Sequence, residues 1–181
     1  MIYALLDFDL VNKYNVSIEK FINKCKELDV EIIQYRDKNS DINDVKERLL
    51  KIRNLWNKTL IINDYIDLAQ FCDGVHIGQE DLEKYQNIEN IRKIINKKII
   101  GLSTHNKEEV LKANNLDIDY IGLGAYRPTT TKEVTSIGGE KLLEIAKLSN
   151  HPVAIIGGVT LKDNIPTKYK VIGSDIFKAI K

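Results

Sequence analysis

Short apolar runs alternate along this chain with longer stretches whose apolar residues recur at helical spacing. The strand-like runs are residues 2–6, 31–35, 59–62, 74–77, 99–102, 120–123, 153–156 and, more weakly, 170–172. Most are almost continuously apolar, the pattern of parallel strands covered on both faces. Between them, Ile18, Phe21, Ile22 and Cys25 follow Ser17 at helical spacing, with Ser17 placed as N-cap. Val45, Leu49 and Ile52 stand in the same relation to Asp41. Residues 83–96, 107–114 and 139–149 also read as helices, while 66–71 has length for a turn or two. Alternating strand and helix signals specify right-handed βαβ units and a parallel sheet. Eight strands predict closure into an α/β (β/α)8 TIM barrel; an open doubly wound sheet is the alternative.

Length refines this picture. A chain of 181 residues builds one sizeable core, so residues 1–181 are expected to form a single domain. Roughly 200 residues is the usual floor for such a barrel, so this one is expected to be compact, starting at its first strand and with shortened last βα units. The net charge of +1 provides no long-range field for nucleic acid or an anionic membrane, and neither is expected as a partner. Cys25 and Cys72 show no metal-ligand spacing and are expected to be reduced, buried and structural. The N-terminus lacks the basic start of a signal peptide, and no apolar run approaches a membrane span. The expected address is the cytoplasm.

Chemistry-bearing residues gather where strand-like runs end, which in a closed barrel is the face that carries the active site. Gln34, Arg36 and Lys38 alternate at the end of the second run, and period-two geometry points all three the same way. An amide, a guanidinium fork and an ammonium there suit a polar ring and a diphosphate; the alternative is an ordinary charged strand exit with Arg36 and Lys38 solvated. Asp64 ends the third run and Asp81 follows the fourth. Adjacent strands lie about 5 Å apart, so the two carboxylates can share one hard cation such as magnesium, or they can serve as loop caps. Ser103 and His105 share a side at the end of the fifth run. Thr129, Thr131 and Lys132 form a hydroxyl and cation cluster after the sixth. Gly157 and Gly158 follow the seventh, where backbone amides can approach a phosphate. His76, inside a strand, is either packed in the core or touches a bound ring. His151, at a strand entrance, faces the opposite end and is expected to be structural.

In this order, the segments QYRDK, IINDYIDLA, DGVHIGQEDL, GLSTHN, DYIGLGAYRPTTTK and AIIGG resemble the thiamine phosphate synthase family over nearly the whole chain. The related thiazole tautomerases share the barrel and the R-x-K strand end but usually lack the GQED and T-x-T-K pair. The resemblance implies a magnesium-dependent transferase. It would join hydroxymethylpyrimidine diphosphate and thiazole phosphate into thiamine phosphate and diphosphate by a dissociative route. It also implies roles. Gln34 would bond the pyrimidine, while His76 and His105 are counted as substrate-binding from their strand positions alone. Arg36, Lys38, Asn63 and Lys132 would hold the diphosphate. Asp64 and Asp81 would bind magnesium, Ser103 would sit at the leaving group, and Thr129, Thr131 and Gly158 would hold the thiazole phosphate. Family members usually place a serine after the last strand. Here the alignment puts Lys178 near that place, so Arg127 or Lys178 is the expected replacement. A thiazole tautomerase using His105 as proton shuttle, or a barrel that binds thiamine precursors without catalysis, are the alternatives.

Overall fold

The computed structural model describes residues 1–129 and 137–180. Its elements run β1 (Ile2–Asp7), α1 (Phe8–Tyr14), α2 (Ile18–Glu27), β2 (Ile32–Arg36), α3 (Ile42–Leu55), β3 (Thr59–Asn63), a 3-10 turn (Ile66–Phe71) and β4 (Gly74–Ile77). They continue with α4 (Gln79–Lys84), α5 (Ile88–Ile95), β5 (Ile99–Thr104), α6 (Lys107–Ala113), β6 (Tyr120–Leu123), α7 (Lys141–Ala146), β7 (Val153–Ile155), β8 (Tyr169–Ile172) and α8 (Ser174–Lys178). All eight strands pair in parallel, in chain order, and β8 closes onto β1. The open-sheet alternative is thereby excluded. Residues 156–168, between β7 and β8, form no helix, which is where the barrel is abbreviated.

Two helical details depart from the expectation. The first, α1, follows directly on β1 because the Asp7 carboxylate caps it, accepting from the Asp9 and Leu10 amides at 3.1 and 3.2 Å. Residues 83–96 do not form one helix. Asn87 takes extended backbone and caps α5, accepting from the Asn90 amide at 2.9 Å. Gln86, at φ +70°, turns the chain between the two pieces. The caps at Ser17 and Asp41 stand where the sequence puts them. Both cysteines are buried and free.

The continuous apolar strands divide by parity. Ala4, Leu6, Ile33, Tyr35, Leu60, Ile62, Val75 and Ile77 join the layer between strands and helices. Tyr3, Leu5, Ile32, Ile61, Tyr120, Ala154 and Val171 fill the barrel interior. The same alternation carries Gln34, Arg36, Asn63, His76 and Ser103 into the inward set, so polar groups replace apolar ones as each strand nears its C-terminal end. Interior space is matched residue by residue. A side chain at Gly101 would overlap the ring of Tyr120 on the neighbouring strand. Gly101→Ala is therefore expected to destabilise the fold by about 1–3 kcal/mol through overpacking, read as a lowered urea midpoint. A midpoint equal to wild type would show that the ring moves aside freely.

Candidate active site

A cavity of about 480 Å³ opens at the C-terminal end of the barrel. Gln34, Arg36 and Lys38 all line it, as their alternation requires. Each is held differently. Gln34 is buried, and its amide nitrogen donates to the Tyr3 hydroxyl at 2.6 Å. Arg36 forms an ion pair with Asp7, its register partner on β1, and Asp7 is only 2% exposed. The Asp7 carboxylate thus caps α1 and tethers the guanidinium. Lys38 lies past the strand end, and its ammonium meets Asp64 at 3.0 Å. Beneath it, Asp37 is buried and accepts from Tyr35 and Arg48, each at 2.9 Å, and from the Ser40 amide at 3.1 Å, which pins the loop carrying Lys38.

Asn63 and Asp64 stand at the end of β3, both on the cavity wall. Asp64 has φ +65°, a left-handed conformation in which Asp and Asn are the tolerated side chains. Asp81 sits in the first turn of α4, and its Oδ2 accepts from the Gly78 amide at 2.9 Å. It is therefore a loop cap whatever else it does. Burial first, then the neighbouring charges of Asp64 and Glu80, raise the Asp81 pKa above the ordinary aspartate range. A carboxylate whose charged form is disfavoured by burial and by neighbouring negative charge is stabilised by a hard cation. Glu80 itself lines the cavity. The donors are all oxygen, as magnesium prefers. Among the described residues no three His, Cys, Asp or Glu side chains are grouped for a metal, so most ligands would come from substrate and water.

The opposite wall is built by β4 to β7. Ser103 Oγ lies 2.9 Å from His76 Nε2, and both residues border the cavity. His105 is at the rim, where its Nδ1 meets Glu109 Oε2 at 2.9 Å. Thr129 also lines the cavity, while Thr131 and Lys132 lie outside the described residues. Gly157 and Gly158 have φ +95° and +60°. A Cβ on the first would fall 2.7 Å from Ala125 Cβ, and on the second 2.7 Å from Arg127 Cβ. The glycines therefore let two loops run against each other, and the Arg127 amide donates to the Gly157 carbonyl at 2.9 Å. His151 Nε2 meets the Ala113 carbonyl at 3.0 Å, a structural role.

The expected substitute cations are placed otherwise. Arg127 forks onto Asp163 at 2.6 and 3.0 Å, bracing the β6 loop against the connection that replaces a helix before β8. Lys178 is exposed and does not line the cavity. Ser174, just after β8, does line it, so a serine after the last strand is present after all. Asp175 turns away, accepting from the Leu161 amide at 2.8 Å. The Arg127 guanidinium, together with the amide and hydroxyl of Thr160, holds the Asp163 carboxyl well below the usual carboxylate range. A depressed folded pKa gives stability that is complete above the unfolded value, about 4, and is lost as pH falls below it. The Tm advantage of wild type over Asp163→Asn should therefore shrink as pH is lowered from about 5 to about 3. A constant difference would dissociate the ion pair from acid stability.

Tyr3, Tyr120 and Asp7 belong to this site although the sequence reading does not select them, Asp7 despite standing at the end of β1. Tyr3 and Tyr120 sit at strand starts, deep below the mouth. Their signal is a polar-tipped aromatic at an inward position of an otherwise apolar run.

Residues 6–169 match the family model described as Thiamine monophosphate synthase. A thiamine-phosphate synthase of Persephonella marina is 45% identical, in an alignment covering 73% of this chain and 65% of that protein, just under two thirds of its length. The Lawsonia intracellularis thiamine-phosphate synthase is 31% identical over 98% of this chain and 93% of its own. Among solved structures, a thiamine phosphate pyrophosphorylase from Pyrococcus furiosus superposes with a TM-score of 0.80 at 26% identity, covering 99% of this chain and 91% of that one. With its barrel closed and its strand-end residues gathered at one mouth, this chain belongs to the thiamine monophosphate synthase family.

Proposed function

We propose that the chain is a magnesium-dependent thiamine-phosphate synthase that joins hydroxymethylpyrimidine diphosphate to thiazole phosphate and releases diphosphate. The observation that carries this reading is the convergence of Arg36, Lys38, Asp64 and Ser103 on one cavity wide enough for two small substrates. In this reading Gln34 orients the pyrimidine from the cavity floor. Arg36, Lys38 and Asn63 face the diphosphate, with Lys132 added on the sequence's authority alone. Thr129, with Gly157 and Gly158, faces the thiazole phosphate; Thr131 joins them from the sequence. His76 and His105 border the substrates. Asp64 and Asp81 would hold magnesium, which neutralises the charge that grows on a departing diphosphate. The residues' own work is positional. Arg36 is fixed by Asp7, so its remaining donors are aimed before charge develops, and such preorganised donors favour the transition state over the bound substrate. Lys38, paired with Asp64 at the strand end, holds its ammonium on the wall that the diphosphate would face. The ionising C–O bond needs no general base, which leaves these residues the work of holding and neutralising the departing anion. The domain would span residues 1–181, act on small molecules and work in the cytoplasm; among the described residues no helix is long and apolar enough to cross a membrane.

The test is diphosphate release by the purified chain with both substrates and magnesium. Release that requires both supports the synthase. Interconversion of the thiazole without diphosphate supports a tautomerase, and binding without turnover supports a non-catalytic barrel.

A further inference from the structure

Five side chains form one hydrogen-bonded line through the barrel beneath the cavity. Gln34 Nε2 donates to Tyr3 Oη at 2.6 Å, and Tyr3 Oη meets Tyr120 Oη at 2.7 Å. Tyr120 Oη meets His76 Nδ1 at 2.9 Å, and His76 Nε2 meets Ser103 Oγ at 2.9 Å. The members come from β2, β1, β6, β4 and β5. The middle bond crosses the barrel between strands that are not neighbours. Tyr3 and Tyr120 are 1% and 3% exposed.

The sense of the line follows from donor counting. An amide nitrogen only donates, so Tyr3 accepts from Gln34. A phenol has one hydrogen, and the Tyr3 hydroxyl has no other partner than Gln34 and Tyr120 among the described residues. Leaving that hydrogen buried and unbonded would cost the desolvation of a donor. It therefore goes to Tyr120, and the Tyr120 hydrogen goes on to His76 Nδ1. An imidazole that accepts at Nδ1 and remains neutral carries its hydrogen on Nε2, which then donates to Ser103 Oγ. The serine's own hydrogen is left for the cavity. Burial pushes the Tyr3 and Tyr120 phenols well above their ordinary range, so both stay protonated and the line keeps its donors at any physiological pH.

We infer that this line has a single sense, from Gln34 to Ser103, fixing His76 as the neutral Nε2–H tautomer and presenting Ser103 to the substrate as a hydrogen-bond donor. The inference deepens the synthase reading, on which it rests for the identity of that substrate. Ser103 is the group that meets the departing diphosphate; Tyr3, Tyr120 and His76 are positioning residues. A donor is what a developing anion requires, and a serine turned the other way would oppose it with a lone pair. The line also joins the two ends of one substrate. A ring engaged by Gln34 polarises the donors that lead to Ser103, because bonds in such a chain strengthen one another.

The experiment begins with the full chain labelled at histidine with 15N and a long-range proton–nitrogen correlation near neutral pH. The His76 signal is identified by its loss in His76→Gln. The Nε2–H pattern is expected. An Nδ1–H pattern, or an imidazolium, overturns the proposal. The second arm is Tyr120→Phe, which keeps a ring between Tyr3 and Tyr169 while deleting the hydroxyl. Its expected result is a mixed tautomer signal and kcat lowered roughly tenfold, the scale of one lost hydrogen bond, with KM for thiazole phosphate unchanged and the circular dichroism spectrum native. Ser103→Thr should retain more turnover than Ser103→Ala. An unchanged kcat in folded Tyr120→Phe, or equal losses in the two serine variants, also overturns it. Wild type that releases no diphosphate with both substrates rejects the synthase reading, and the tautomer arm still decides the sense of the line.

Discussion

Replacing Asp64 or Asp81 with asparagine is expected to lower magnesium-dependent turnover by at least about 10–100-fold, by analogy with the cost of losing a metal ligand's supporting partner, while the barrel stays folded. The two sites make asparagine an informative replacement. Asp64 sits at φ +65°, a conformation that asparagine adopts as readily as aspartate. Asp81 caps its loop by accepting from the Gly78 amide, and an asparagine oxygen can accept that bond too. Backbone and cap therefore survive, and the change removes only the negative charge. That charge is what a hard cation binds. Removing it from Asp64 should also relieve Asp81 and lower its raised pKa, since Asp64 is one of the charges that raise it. Steady-state rates against magnesium concentration, with a thermal melt of each variant, are the measurement. If both variants keep wild-type rates at limiting magnesium, the metal assignment is wrong, leaving Asp81 a loop cap and Asp64 the partner of Lys38.

Arg36→Ala and Lys38→Ala are expected to separate turnover from stability. Each removes a fixed cation from the cavity wall, and losing one such donor costs on the order of 100-fold in turnover. Their stability costs differ because their partners differ. Arg36 and Asp7 have side chains 14% and 2% exposed, so deleting the arginine strands a buried carboxylate. Breaking a buried pair in this way costs roughly 3–5 kcal/mol. The lower end applies here, since the Asp9 and Leu10 amides still bond that carboxylate. Lys38 and Asp64 are 40% and 28% exposed, and water screens the pair to below about 1 kcal/mol. Urea midpoints and kcat together test this. A Lys38→Ala midpoint as low as that of Arg36→Ala would contradict the burial argument. A chemical step unchanged in both variants would remove the two residues from the leaving-group site.

The strands, their order and the address of the site were legible along the chain because each is written locally. A run buried on both faces is apolar at every position, and period-two alternation tells which side of a strand a residue takes before any neighbour is known. That sufficed to place Gln34, Arg36 and Lys38 on one wall, with Asp64 and Ser103 at other strand ends of the same face; Asn63 came from the family resemblance. Capping signals at Ser17 and Asp41 were equally local. Those at Asp7 and Asn87 are of the same kind, but α1 is too short for a periodic pattern, and the apolar positions of 83–96 bridge a turn at Gln86. Only closure of the barrel decided the rest. The Tyr3–Tyr120 bond spans 117 residues and two strands that never pair, so no sequence window contains it. The Asp7–Arg36 pair depends on the register between β1 and β2. Arg127 reads as a loop cation free for a phosphate until the β7–β8 connection brings Asp163 within 2.6 Å. Ser174, rather than Lys178, borders the cavity because β8 ends at Ile172 and aims the next residues at the mouth. Residue types and periods announce what a position can do. Which partner reaches it is set by contacts that exist only once eight strands have closed on one another.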